Sequence, residues 1–295
     1  MSLDSKFYGE DIKQVKSVSF NIFTNKEIKK YSAVENDPFG INVADSYDNY
    51  EPKKGGLLDL RMGTCDIYLP CTTCGLNAND CPGHFAHIEL ADYVFHYGFL
   101  NHLRSILQCV CISCSKLLYE YTDDNLEMIK NLNSRKRFKY IKESTKNISY
   151  CWNCGTGVPK IKKEVKEQSG SIKILLEREV GNVVVDEKTG ESSEMLKKIK
   201  QYLTPRECYN VLRNVSDVDS FLLGFGGNSK PSDLVITRFP VPPVCIRPTN
   251  KIDFMAASTM EDSLTLKIAD IVKANNRVRN RIDKQITGTD LNTYG

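Results

Sequence analysis

Residues 71–84, CTTCGLNANDCPGH, place three cysteines and a histidine within fourteen positions. A CxxC turn brings both sulfurs to one side of a tight backbone loop. A tetrahedral zinc ion takes four such ligands, with sulfur at about 2.3 Å. Cys71 and Cys74 form the first turn, and Cys81 and His84 form the second after six intervening residues, so the set is complete. Gly75 follows the first turn and Pro82–Gly83 fill the second, where the chain must bend sharply. A second set consists of Cys111 and Cys114, then Cys151 and Cys154 after a further 36 residues. Two CxxC pairs of this kind predict an all-thiolate zinc site whose long connection is tied at both ends by one ion.

Each set holds four protein ligands, so neither keeps the open position of a catalytic zinc, and both are expected to be structural. Four ligand pairs can also interleave, as in a RING or PHD-like interaction module. The six residues between Cys74 and Cys81 leave little chain for that crossing, so two sequential sites are predicted. A thioredoxin-like redox reading of a single CxxC lacks the βαβ context. Chance proximity of buried thiols does not produce ligand spacing this regular. Cys65, Cys109, Cys208 and Cys245 are expected to be small buried hydrophobes, and His87, His96 and His102 ordinary core or surface histidines.

The elements that must position these ligands belong to a chain of 295 residues, long enough for a substantial core. It is 41% hydrophobic and 26% charged, and no run approaches the roughly 18 apolar residues of a membrane helix. The N-terminal residues lack the apolar stretch of a signal peptide, and the chain is read as intracellular, where thiols stay reduced. Eleven cysteines, an odd number, nine of them between Cys65 and Cys154, argue against a disulfide framework. The net charge of +3 is too small to imply a partner, but residues 130–163 carry ten Lys/Arg against one acid, Glu143. That run is either a solvated loop or a phosphate-facing surface.

Residues 15–23 alternate like a strand, and Thr24 is placed to cap a following helix. SIKILLERE and NVVVDEKTGE resemble two strands around a Gly-containing connection. Thr204, Pro205 and Glu207 spell a capping box, and Ser216, Asp219 and the Gly224 stop repeat the arrangement. PVPPVCIRP must be largely extended. A final amphipathic helix is expected from about Thr259, with Leu264, Ile268, Ile271, Val272, Val278 and Ile282 on its apolar side. The chain has no Walker A loop, GxSxG or HExxH, and so no catalytic constellation of its own.

GLLDLRMGT, CTTCGLNANDCPGHFAHIEL, VFHYGFL, ILQCVCISCSKLL, CWNCG, LLGF, PVPPVCIRP and DSLTLKIADIVKANN follow one another in an order that resembles the N-terminus of the largest subunit of eukaryotic DNA-directed RNA polymerases. The resemblance runs from about Val15 to Arg281. PSDLVIT and VCIRP look most like the polymerase III form, CVC and CSKLL like polymerase II. It implies an α+β, zinc-stapled clamp of mixed helices and short antiparallel strands. Its parts would be a clamp-core segment (1–64), a two-zinc region (65–157), a clamp-head hairpin and helices (158–240), and a Pro-rich segment with a lid-like loop and helix (241–295). Cys71, Cys74, Cys81 and His84 match the family's mixed site, and Cys111, Cys114, Cys151 and Cys154 its four-cysteine site. Arg247 and Lys251, in a segment to about Asp262 that resembles the lid, are expected to contact nucleic acid. The implied partners are the DNA template, the DNA–RNA hybrid and other polymerase subunits, especially the second-largest. The implied compartment is the nucleus, and no membrane is involved. The family's magnesium-holding NADFDGD loop is absent. The chain is therefore expected to be an N-terminal piece of a nucleotidyltransferase, inactive alone.

Overall fold

Local signals open most of the helices. Thr24 accepts from the Glu27 N–H at 3.1 Å while the Glu27 carboxylate accepts from the Thr24 N–H at 2.9 Å, and α1 (Asn25–Lys30) follows. The computed structural model describes residues 16, 18, 20–49, 51–166, 171–185, 192–226, 229–251 and 259–287. After α1 come the two-residue strands β1 (Tyr47–Asp48) and β2 (Glu51–Pro52), then β3 (Ala86–Phe95) and α2 (Leu100–Leu107). The basic stretch of residues 130–163 is not all loop: after α3 (Asp123–Lys130), α4 (Ser134–Ser144) occupies part of it. Three antiparallel strands, β4 (Lys160–Lys166), β5 (Ser171–Val185) and β6 (Ser192–Leu203), pair in that order. The capping box at Thr204 opens α5 (Pro205–Arg213), and Ser216, accepting from the Asp219 N–H, opens α6 (Asp217–Leu222). β7 (Val235–Val241), β8 (Asn250–Lys251), β9 (Thr259–Met260) and α7 (Ser263–Thr287) complete the chain.

Mixed helices and antiparallel strands are as expected, but not every strand is short. SIKILLERE and the NVVV that follows form one strand, β5, of 15 residues, and its partner β6 comes from SSEMLKKIKQYL. The glycine between the two runs, Gly181, pairs with Leu196 instead of turning the chain. The connection at 186–191 lies outside the described residues, as do 252–258 of the lid-like segment. Residues 20–23 have no regular structure, so the alternation there does not form a strand among the described residues.

The ribbon of β3 and β7 joins two cores. Ala86, Ile88 and Val241 lie in one, with Leu57, Leu58 and Met62 and with Ile268, Ala269 and Val272 of α7. Val235 lies in the other, with the buried faces of α2, α5 and the β4–β5–β6 sheet. Between Glu89 and Val94 the register shifts, so that four residues of β3 stand opposite Thr237 alone. Two asparagines take up the backbone groups this irregularity frees. Asn25 of α1 accepts from the Thr237 N–H at 2.9 Å and donates to the Val235 carbonyl at 3.3 Å. Asn275 of α7 accepts from the Ala91 N–H at 2.7 Å and donates to the Glu89 carbonyl at 2.9 Å. Arg279 reaches the same Glu89 carbonyl at 2.8 Å. Asn275→Ala therefore orphans chiefly the Ala91 N–H, and we expect a loss of about 2 kcal/mol in urea unfolding. An unchanged midpoint would show that the Asn275 hydrogen bonds do not hold α7 to β3.

Candidate metal centres

Three of the four ligand turns share one backbone design. The N–H of the residue after the second cysteine donates to the carbonyl of the first: Gly75 to Cys71 at 2.8 Å, Ser115 to Cys111 at 2.9 Å, and Gly155 to Cys151 at 2.9 Å. The N–H of each first cysteine then closes the loop onto the carbonyls of Leu76, Lys116 and Thr156, at 2.9 Å in all three. This path needs a left-handed residue directly after the second cysteine, and φ there is 73° at Gly75, 61° at Ser115 and 68° at Gly155. Glycine meets that demand without strain, whereas Ser115 does so at a cost of roughly 1–2 kcal/mol. The fourth turn, Cys81–His84, instead hangs from the neighbouring 3-10 turn of Leu60–Met62, with the His84 N–H donating to the Met62 carbonyl at 3.0 Å. Asp59 holds that turn by accepting from the N–H of Gly55 at 2.6 Å and from the Arg61 guanidinium at 2.7 Å. Burial works against the Asp59 carboxylate, but these donors prevail and keep its pKa below the usual value.

The eight expected ligands converge in two sequential quartets, Cys71/Cys74/Cys81/His84 and Cys111/Cys114/Cys151/Cys154. Within each quartet one ligand atom per residue lies within 4.8 Å of all the others. In the first, Cys74 Sγ is 3.6 Å from Cys81 Sγ, and Cys81 Sγ is 3.7 Å from His84 Nε2. In the second, Cys111 Sγ is 3.6 Å from Cys154 Sγ, and Cys114 Sγ is 3.7 Å from Cys151 Sγ. A tetrahedron with zinc–sulfur bonds of 2.3 Å has edges of about 3.8 Å, so the donor sets fit zinc in number, chemistry and span. These sulfurs are too far apart for disulfides, and all eleven cysteines are free. Both quartets are closed and sequential, which removes the interleaved RING or PHD arrangement.

Hydrogen bonds prepare the sulfurs unequally. The Thr156 hydroxyl and backbone N–H hold the Cys154 thiol down at about 6. Burial opposes ionisation of Cys71, yet the N–H groups of Cys74 and Thr73 outweigh it and leave the thiol below its usual range. Burial pushes Cys81 up to about 11 and Cys111 up to about 12. Four thiolates crowd one another, and a bound divalent cation supplies the charge that lets all of them ionise. The second site is braced across its two hairpins. Trp152 Nε1 donates to the Leu117 carbonyl at 2.9 Å, and Lys116 Nζ donates to Asn153 Oδ1 at 3.0 Å.

Other expectations change. Arg247 is 0% exposed, so it is not a surface cation. Its guanidinium donates to the Pro242 carbonyl at 3.1 Å and to Thr265 Oγ1 at 3.2 Å, and burial pulls its pKa down to about 10. Its donors bind protein instead of phosphate, which makes it a strut between the Pro-rich segment and α7. Lys251 lies in β8, paired with Thr259. Within the basic stretch, Arg137 is buried too, donating to the Phe221 carbonyl at 2.6 Å with its guanidinium 3.7 Å above that ring. Cys109 and Cys208 are buried as expected, but Cys65 and Cys245 are exposed. Cys109 stands apart from the second quartet, its thiol donating to the Ser105 carbonyl at 3.3 Å. Ser32 Oγ lies 2.8 Å from His87 Nδ1, but the nearest Glu89 carboxylate oxygen is 3.9 Å from His87 Nε2, too far for a hydrogen bond, so the three are not coupled as a hydrolytic triad. His87 is 0% exposed, so no substrate reaches it.

Residues 12–293 match the family described as RNA polymerase Rpb1, domain 1. The chain belongs to this family. Among the relatives of this family member, DNA-directed RNA polymerase subunit 1 of Acanthamoeba polyphaga mimivirus is 39% identical over 278 residues, which cover 92% of the chain and 18% of the relative. DNA-directed RNA polymerase II subunit RPB1 of Euplotoides octocarinatus is 33% identical over 275 residues, covering 92% of the chain and 55% of the relative. The chain thus spans less than two thirds of either relative. The largest-subunit resemblance holds, but neither of these names carries the leaning toward polymerase III.

Metal analysis should give two zinc ions per chain. Cys74→Ser and Cys151→Ser should each lose one ion and retain the other, and loss of both from either variant would contradict independent sites. No atom lies within 4 Å of a Cβ added at Gly155. Gly155→Ala should therefore weaken the second site through backbone strain alone, by about 1 kcal/mol. Ser115→Gly should strengthen it, both being read by zinc competition with a chromophoric chelator.

Proposed function

We propose that this chain is the clamp part of a DNA-directed RNA polymerase largest subunit and holds the DNA template and the DNA–RNA hybrid during transcription. The observation that carries this reading is the pair of closed four-ligand quartets, set in a sequence that matches Rpb1 domain 1 over residues 12–293. Zinc in both quartets keeps the fold rigid, while binding depends on positive charge. Arg247 is not available for that role, whereas Arg277 and Arg281 are exposed one turn apart on α7. Lys251 stays in the proposal as a contact near the lid-like segment. The reaction itself belongs to magnesium-binding aspartates that these 295 residues do not contain, so the isolated chain incorporates no nucleotides. Its partners are the other polymerase subunits, the second-largest foremost.

The finer assignment to polymerase III rests on PSDLVIT and VCIRP, and the nuclear location rests on the same eukaryotic resemblance. The identity of the second-largest subunit that co-purifies decides the polymerase class, and immunofluorescence decides the compartment. For the binding role, affinity for a DNA–RNA hybrid should fall steeply with salt. An Arg277→Ala/Arg281→Ala variant should reduce the log–log slope by about two units, as expected for two lost phosphate contacts. Hybrid binding that does not respond to salt would overturn the reading.

A further inference from the structure

The quartets account for seven of the eleven cysteines, and Cys109 and Cys208 are each 0% exposed. Cys65 and Cys245 remain, both exposed. Although they are remote in sequence, their loops meet at a single turn. The Cys65 thiol donates to the carbonyl of Val244, the residue preceding Cys245, at 3.6 Å. The Cys245 thiol donates to the Pro82 carbonyl at 3.6 Å and packs on Gly83, where an added Cβ would lie 2.5 Å from the sulfur. Gly63, two residues before Cys65, also lies against Gly83, with an added Cβ 3.4 Å from the Gly83 Cα. The absence of side chains at both glycines lets the two thiol-bearing loops close on the same point. The thiols also interact through charge, since Cys245 is one of the groups that raise the pKa of Cys65.

We propose that Cys65 and Cys245 form a reversible disulfide, a redox modification site that ties the loop before the first quartet to the loop after β7. The oxidant class is a low-molecular-weight disulfide such as glutathione disulfide. Partial burial pushes the Cys65 thiol up, against the pull of the Thr249 N–H and Arg247, which disfavours it as the first attacking thiolate, and that step is assigned to Cys245. Its thiolate attacks one sulfur of the oxidant, the oxidant S–S bond breaks, and one glutathione leaves carrying the Cys245 proton. The Cys65 thiolate then attacks Cys245 Sγ in the mixed disulfide and displaces the second glutathione, which takes the Cys65 proton. Two cysteine thiols are oxidised and one glutathione disulfide is reduced to two thiols. Zinc protects the seven ligand cysteines, and burial protects Cys109 and Cys208. The site requires nothing of the polymerase reading.

The test treats the zinc-loaded protein with glutathione disulfide. Thiols titrated without denaturant should fall from two to none, with both zinc ions retained. Non-reducing peptide mapping should show Cys65 joined to Cys245, and dithiothreitol should restore both thiols. Cys65→Ser and Cys245→Ser, checked for folding by zinc content, should each keep one reactive thiol and accumulate a glutathione adduct there. Stable glutathione adducts on both cysteines of the unsubstituted protein, a disulfide-linked dimer, or zinc release before the thiols disappear would each overturn the proposal.

Discussion

The antiparallel pairing of β3 with β7 is the contact on which the remaining architecture depends. At its centre Arg238 grips Glu89 with two hydrogen bonds, 2.7 and 3.1 Å long, across a sequence separation of 149 residues. Everything between these strands, including the second metal quartet and the β4–β5–β6 sheet, is one long excursion closed by this ribbon. The first quartet leads into β3 within two residues of His84, and the Pro-rich segment leaves directly from β7. A shift in this pairing would therefore move both cores and the first metal centre together. The irregularity in β3 is consistent with that role: it lets helices on both sides reach the ribbon backbone through Asn25 and Asn275 instead of leaving its polar groups bare.

The quartets stabilise in a different way. Hydrophobic burial fixes elements by area, without directional demand, whereas four ligand atoms converging on one ion would impose distances to a few tenths of an ångström. The second site lies where this matters most, because α3 and α4 stand between its two hairpins and contribute few apolar anchors, Ile129 and Ile141 among them. One ion shared by residues 111–114 and 151–154 would close that insertion at a surface where apolar contacts are few. The left-handed residue after each CxxC shows how demanding the turn is, since Ser115 accepts a conformation suited to glycine to preserve it.

Charge divides between structure and surface. Arg61, Arg137, Arg238 and Arg247 all have buried or half-buried guanidiniums bonded to carboxylates or backbone carbonyls. The planar donor fork of arginine suits this work, because one side chain satisfies several acceptors at once. A count of basic residues therefore overstates the charge available at the surface, although exposed cations remain on α4, on α7 and on the sheet.

Most of the local design was legible in the sequence. The three CxxC turns, the capping boxes at Thr24 and Thr204 and the final amphipathic helix depend on contacts within a few residues, so their spacing specifies them directly, whereas the CPGH turn also needs the Met62 carbonyl. The pairing of quartets was legible because six residues leave little chain for the alternative crossing. Other features were decided only when distant segments met. Arg247 and Cys245 sit in the same short segment, yet packing of α7 buries the one, and the open face beside Pro82–Gly83 exposes the other. Gly181 reads as a turn residue but lies inside a strand, because the pairing of β5 with β6 outweighs its own conformational preference. Asn275 resembles any polar position on a helix until the bulge in β3 places a free N–H and carbonyl opposite it. Local spacing determines what one stretch of chain can do alone; burial and long-range hydrogen bonding exist only between stretches, and those the tertiary structure decided.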